Sequence, residues 1–145
     1  MGVTEELATF ASTLQFDRLP APVVHEAKRS VLDWFGVALG GSHHEAVDIM
    51  DSLLKEMGGN EAATVVGRGS RNSLLFAALL NGQMSHVLDY DDTHLSTITH
   101  FSSAMAPAIL ALGETNRVDG KEFIASFAAG FEVGARVGLA VCPGH

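Results

Sequence analysis

The sequence is poor in cysteine and in basic residues, and each shortage excludes a class of protein. Its single cysteine, Cys142, has no partner for an internal disulfide, which excludes a disulfide-stabilised secreted domain. Nine basic residues stand against 17 acidic ones, for a formal net charge of −8. Because a chain with this net negative charge is repelled by the phosphate backbone of a nucleic acid, we expect no nucleic-acid partner.

The chain also lacks a secretory signal and a disordered composition. Residues 1–6 have neither the basic start nor the apolar stretch of a signal peptide, so we expect a reducing, cytoplasmic location. The 145 residues are 47% apolar and 18% charged, and the glycines follow no collagen period. Length and composition therefore predict one globular domain over residues 1–145.

Apolar residues recur at helical spacing through most of the chain, which predicts an all-α fold, a multi-helix bundle. Residues 63–67 are β-branched and bounded by glycine, so we predict at most one short strand near 63–66. Asn81-Gly82 favours a turn in isolation, but the apolar pattern continues on both sides, which favours a continuous or locally bent helix. The predicted helices are 4–16, 23–39, 44–57, 73–88, 101–115 and 120–142, with caps at Thr4, Asn72 and Asp119, the last in a capping box with Glu122.

The last predicted helix is apolar on nearly every side. A membrane span is the rival interpretation, because the run is long enough to cross a bilayer. Glu132 and Arg136 lie in the middle of the run, where each would cost about 2.5–3.5 kcal/mol in lipid, whereas in water they form an (i, i+4) pair. We therefore expect no membrane partner and a helix buried nearly all round. A row of glycines at four-residue spacing would let another helix approach closely: Gly130, Gly134 and Gly138.

Titratable side chains concentrate between residues 86 and 100, where the sequence has no lysine or arginine. Carboxylates grouped without counter-charges usually have a use, although turn aspartates and surface histidines are the plain alternative. These residues are also competent metal ligands, but their spacing fits neither an EF-hand loop nor a zinc motif, so no metal site is predicted. The residues concerned are His86, Asp89, Asp91, Asp92, His94 and His100.

Four stretches of the sequence share their order and spacing with a known family. They are residues 31–41 (VLDWFGVALGG), 81–94 (NGQMSHVLDYDDTH), 99–103 (THFSS) and 120–133 (GKEFIASFAAGFEV). Together they resemble the N-terminal part of the MmgE/PrpD family, and the resemblance covers nearly the whole chain. The family contains 2-methylcitrate dehydratase, cis-aconitate decarboxylase and related isomerases or epimerases of small di- and tricarboxylates.

The resemblance implies a fold, a reaction class and partners. Residues 1–145 would be the N-terminal part of a helical domain in a larger two-domain enzyme, commonly a homodimer. The implied activity is that of a lyase or isomerase acting on a small polycarboxylate, like 2-methylcitrate dehydratase, without an organic cofactor or an obligatory metal. By position, the family's catalytic histidine and aspartate correspond to His100 and Asp89, and a threonine of its site corresponds to Thr93.

These residue types suit proton transfer next to a carboxylate. Imidazole exchanges protons near neutral pH, so His100 is the candidate acid/base. Asp89 would orient it or bind a substrate hydroxyl, and Thr93 would hold a carboxylate oxygen. Ser102 begins a predicted helix whose N–H groups can receive an anion, so it is a candidate substrate-binding residue. The plain alternatives are that Asp89 caps a helix and Thr93 closes the loop.

The sequence departs from the family pattern in two respects. Phe101 follows the histidine where many relatives have proline, which changes the stiffness of the loop. The family's second histidine and its substrate-binding lysines lie beyond the position that matches His145, so we expect little activity from this chain alone. The alternative function is a non-catalytic helical interaction module, or a split-enzyme subunit that pairs with a longer chain.

Overall fold

The computed structural model describes residues 2–141, and 71% of these residues are helical. In this part of the chain the elements are six α-helices, one short 3-10 helix and one two-stranded sheet. The all-α bundle predicted from the sequence is confirmed. In chain order the elements are α1 Val3–Thr13, the 3-10 helix Phe16–Arg18, α2 Ala21–Gly41, α3 Glu45–Met57, β1 Ala63–Val65, β2 Ser70–Asn72, α4 Leu74–His86, α5 Phe101–Asn116 and α6 Gly120–Val141.

Most helix ends lie close to the predicted positions, and the differences have local causes. Helix α2 begins at Ala21 because Pro22 occupies the first turn, where its missing N–H removes no hydrogen bond. Helix α1 begins at Val3, so Thr4 lies within the first turn and is not the cap. The last residue of the predicted sixth helix, Cys142, lies outside the described residues.

Two of the three predicted caps are wrong and one is confirmed. Ser73, not Asn72, caps α4, because the Ser73 hydroxyl accepts a hydrogen bond from the Phe76 N–H. Asn72 is instead the last residue of β2. Asp119 caps α6 as predicted, since its Oδ1 accepts from two backbone N–H groups of the first turn, each at 2.9 Å.

The predicted strand is half of a β-hairpin. Strands β1 and β2 pair antiparallel, with Thr64 opposite Arg71. Gly67 and Gly69 both have positive φ, which glycine adopts without steric cost, and they lie in the connection between the strands. The second strand, Ser-Arg-Asn, was not predicted because it has neither β-branched nor apolar residues to mark it.

Helix α4 lies at the centre of the fold, between α2 and α5, and it runs unbroken through Asn81-Gly82. Asn81 is fully buried, and its side chain is satisfied by the hairpin: Oδ1 accepts from the Val66 N–H at 2.9 Å and Nδ2 donates to the Thr64 carbonyl at 2.9 Å. A Cβ at Gly82 would lie 3.3 Å from the Ser103 carbonyl oxygen. The dipeptide therefore serves packing between elements and does not form a turn.

Helix α6 packs on α1, α2 and α5, and the expectation that it is buried nearly all round is wrong. Only 28% of its most apolar 18-residue stretch is buried, because its contacts with those helices cover one side. By length and composition α6 is the one helix of residues 2–141 that can cross a bilayer, a property that core helices share. The Glu132–Arg136 pair forms as predicted, with Nε 2.7 Å from Oε1.

The predicted role of the glycine row in α6 is confirmed. Added Cβ atoms at two of these glycines would lie 2.9 Å from side-chain atoms of Met105 in α5. At the third glycine, an added Cβ would lie 2.8 Å from Cγ2 of Thr97. Helix α5 and the segment before it therefore approach α6 closely along Gly130, Gly134 and Gly138.

We predict that Gly41→Ala destabilises the fold, because a Cβ at Gly41 would overlap the backbone oxygen of Met84 in α4. Overpacking of this kind costs about 1–3 kcal/mol. The matched control is Gly36→Ala in the same helix, where an added Cβ meets nothing within 4 Å. This control should raise the free energy of unfolding by about 0.5–1 kcal/mol. Urea unfolding followed by circular dichroism measures both, and equal effects would contradict the close approach of α2 and α4.

Candidate active site

The loop between α4 and α5 is compact and carries two unusual backbone conformations. Asp89 and Ile98 have φ values of 53° and 50°, in the left-handed region that side chains rarely adopt, least of all β-branched ones. The His94 N–H donates to the Thr99 carbonyl at 2.9 Å and closes the loop on itself. The chain therefore turns back, and it returns His100 to the end of α4.

The centre of the site is the carboxylate of Asp91, whose side chain is 1% exposed. The Ser103 hydroxyl, in the first turn of α5, donates to its Oδ2. The His86 Nδ1, at the end of α4, lies 3.1 Å from Oδ1 and 3.2 Å from Oδ2. Two helix ends therefore converge on one buried carboxylate.

His100 lies beside the same carboxylate, next to His86. Its Nδ1 is 3.3 Å from Asp91 Oδ1, within the distance of an ion pair, but the alignment does not make a hydrogen bond and the buried Nδ1 has no other partner. Its Nε2 lies 3.9 Å from Asp89 Oδ1, beyond hydrogen-bond distance. The imidazole of His100 therefore has a buried carboxylate at one nitrogen and an exposed carboxylate near the other.

The two histidines share the wall of an open cleft. Their ring centroids are 4.9 Å apart, with an angle of 59° between the planes. The cleft has a volume of about 410 Å³ and is also lined by Gln83, Thr99 and Ser103. Sites for small molecules fall in the range of about 300–1,000 Å³, so the cleft has room for a small metabolite beside both imidazoles.

The structure brings together some of the predicted site residues. His100 and Asp89 are neighbours, as expected. Thr93 lies in the same loop, and its hydroxyl donates to the Asp91 carbonyl at 3.4 Å. Ser102 is 1% exposed, and its hydroxyl donates to Asp92 Oδ2 at 2.7 Å. The catalytic and substrate-binding roles assigned to these four residues stay predictions.

Sequence reasoning missed the residues at the centre. It named His86 and Asp91 as possible metal ligands but not as site residues, and it gave the Ser103 hydroxyl no role. His94, also a possible ligand, lies elsewhere: its Nδ1 is 2.8 Å from the Thr97 hydroxyl and its ring packs on Phe101. No pattern in the sequence distinguishes His86 and Asp91, which lie at the centre of the site, from the neighbouring histidines and aspartates.

The same cluster has ligand atoms that suit a metal ion. His86, Asp89, Asp91 and His100 each offer one such atom, and all four atoms lie within 4.8 Å of one another. Imidazole and carboxylate groups are ligands that several divalent ions accept. The sequence expectation of no metal site stays a prediction.

Comparison with known proteins identifies the family. The family model described as "MmgE/PrpD N-terminal domain" matches residues 5–145. The chain belongs to the MmgE/PrpD family. The resemblance noted in the sequence is therefore confirmed, and the loop that carries His86, Asp91 and His100 lies within the matched region.

The similar proteins in the curated set are much longer than this chain. Cis-aconitate decarboxylase of Homo sapiens is 31% identical over 94% of this chain, which covers 29% of that protein. The cis-aconitate decarboxylase-like protein oryM of Aspergillus oryzae is 30% identical over 97% of this chain, and cis-aconitate decarboxylase of Aspergillus terreus is 29% identical over 97%. The chain covers 30% of each of these two fungal proteins.

We predict that Ser102→Ala lowers the free energy of unfolding by about 0.5–1.5 kcal/mol, the usual net value of one hydrogen bond. The buried hydroxyl binds Asp92, whose Oδ1 also accepts from the Ser102 N–H at 3.3 Å. Ser96→Ala in the same loop is the control, because Ser96 is exposed. Urea unfolding measures both variants. Equal stability of the Ser102 variant and the unmodified chain would contradict this structural role.

Proposed function

We propose that the chain supplies the acid–base part of the active site in a metal-free lyase or isomerase that acts on a small di- or tricarboxylate. One observation carries the proposal: the His100 imidazole lies on the wall of an open cleft, between the buried carboxylate of Asp91 and the exposed carboxylate of Asp89. A ring that has a buried carboxylate beside one nitrogen and an exposed carboxylate near the other is suited to proton transfer.

In dehydration and epimerisation the proposed chemistry begins with a proton on the carbon next to a substrate carboxylate. His100 Nε2 takes this proton, and the resulting imidazolium is stabilised by the neighbouring carboxylates of Asp89 and Asp91. In dehydration the same ring then returns the proton to the departing hydroxyl group, which leaves as water, and in epimerisation a second donor protonates the opposite face of the carbon. In decarboxylation no proton is removed first: the bond to the carboxylate breaks, CO₂ leaves, and the protonated ring gives one proton to the carbanion that remains. Dehydration, decarboxylation and epimerisation therefore share this residue.

The charges of the side chains at the site affect how it binds an anionic substrate. Within residues 2–141, the ion-pair partners of Asp89 and Asp91 are histidines. Protonation of His86 would supply positive charge for a substrate carboxylate without consuming the His100 base. Helix α5 begins at the same cleft with the positive end of its dipole. Two of the relatives are cis-aconitate decarboxylases, which supports a tricarboxylate as the substrate.

We predict that His100→Gln lowers the turnover rate by at least about 100-fold on whichever polycarboxylate the unmodified protein converts. General acid–base catalysis contributes a rate factor of about 10²–10⁴. The assay presents cis-aconitate and 2-methylcitrate to the chain, alone and mixed with a full-length relative that carries an inactivating change at its own equivalent histidine. Product formation is followed by chromatography. Dialysis against EDTA should leave the rate unchanged.

The control for this assay is His25→Gln, which changes an exposed histidine of α2 and should retain full activity. Circular dichroism shows that both variants fold. Retained turnover in the folded His100 variant would overturn the proposal, and so would an activity that EDTA removes and a divalent metal restores.

A second candidate function is that of a helical interaction module, and an exposed stripe on α3 favours it. Ile49, Leu53 and Met57 are spaced four residues apart and are 66%, 57% and 63% exposed. Residues at this spacing share one helix face, and contiguous exposed apolar surface marks sites of protein interaction. We propose that this stripe is the contact between two copies of the chain in a homodimer.

We predict that Leu53→Glu converts the dimer to a monomer, because the contact would then bury an unpaired charge. Ser52→Glu is the control, since it adds the same charge to an exposed position beside the stripe and should leave the dimer intact. Sedimentation velocity at micromolar concentration measures the molecular mass. A monomeric unmodified chain would contradict this candidate function.

A further inference from the structure

We infer that Asp91 is the positioning residue of the site: it holds His86 and His100 by their Nδ1 atoms, so that both rings carry the proton on Nδ1 and keep Nε2 for exchange. The proposed function gives this arrangement its purpose, but the arrangement itself is a property of the folded chain. Asp89, for which the sequence analysis left open orienting the ring or binding a substrate hydroxyl, is left free to contact the substrate.

The first step of the argument is burial. The Asp91 side chain is 1% exposed and that of Asp89 is 81% exposed. A charge interacts more strongly with its neighbours where water is excluded, so the inner carboxylate governs the proton positions on the adjacent rings. Asp89, at 3.9 Å from Nε2 and in solvent, cannot fix the ring.

The second step concerns which atoms face Asp91. A carboxylate accepts hydrogen bonds and donates none, so a ring nitrogen that bonds to it must carry the proton. The His86 Nδ1 lies 3.1 Å and 3.2 Å from the two carboxylate oxygens, which requires a proton on this Nδ1. The Ser103 hydroxyl donates to Oδ2, which leaves the Oδ1 lone pairs to the two imidazoles.

The third step concerns the second ring. The buried Nδ1 of His100 has no hydrogen-bond partner, and Asp91 Oδ1 lies 3.3 Å away. Buried polar atoms are nearly always paired. A small rotation of the ring makes this bond, and the proton is then on Nδ1. An aspartate that accepts from Nδ1 of a histidine fixes its tautomer and leaves Nε2 as the working nitrogen, as in the serine protease triad.

The test is ¹⁵N NMR of the histidine rings in the 145-residue chain, at an alkaline pH where the imidazoles are neutral. Single His→Gln variants assign the signals. Free neutral histidine carries its proton mainly on Nε2, so the expected result, protonated Nδ1 on both His86 and His100, is distinctive. A proton on Nε2 of His100 in the unmodified chain would overturn the inference, whatever the activity.

Three variants test whether Asp91 is what sets the tautomers of the two rings. Asp91→Asn replaces one acceptor oxygen with an amide that can donate to Nδ1, so we expect His100 to move to the Nε2–H form. Asp92→Asn, a carboxylate of the same loop that binds Ser102, should leave both tautomers unchanged, as should Ser103→Ala. A folded Asp91 variant with unchanged tautomers would overturn the inference.

The outcome is separable from that of the proposed function. The tautomers are measured without substrate, so a chain with both rings in the Nδ1–H form but no reaction with any polycarboxylate would support the positioning role and count against the lyase or isomerase. If Asp91→Asn does not fold, the histidine tautomers in the spectrum of the unmodified chain still test the inference.

Discussion

The site depends on one buried carboxylate. Asp91 has lost nearly all its water, and a carboxylate in that environment is stable only when donors surround it. Ser103 and His86 donate to it, and His100 lies next to it. Because these three residues come from the start of α5, the end of α4 and the returning loop, satisfying the carboxylate fixes the relative positions of all three elements.

The packing of α4 makes that arrangement possible. Gly41 lets α2 approach the backbone of α4 at Met84, and Gly82 lets α5 approach it at Ser103. The two contacts fix α4 between its neighbours within two turns of His86. Tight interiors transmit displacements, so a shift of α4 at either glycine would change the distance between His86 and Ser103. The small residues of the fold are therefore part of the geometry of the site.

The sequence predicted the helices, and it failed where the outcome depends on tertiary structure. Apolar spacing is local, so it identified six helices and the continuity of α4 through Asn81. The burial of the Asp91 side chain depends on the left-handed backbone at Asp89 and on the His94–Thr99 bridge. No local sequence pattern predicts either feature. The predicted burial of α6 was wrong for the same reason, because an apolar composition does not show which faces of a helix pack against other elements.

Two carboxylates near opposite nitrogens of one imidazole differ in what they can do. The inner one, Asp91, is closed to the solvent and already bonded, so a substrate cannot reach it and its effect on the ring is constant. The outer one, Asp89, is exposed and too distant from the ring to fix it, so its carboxylate stays available to other hydrogen-bond donors. Acid–base catalysis needs a ring whose orientation is fixed and whose reacting nitrogen is accessible. The difference in burial between the two aspartates meets both requirements with residues of a single loop.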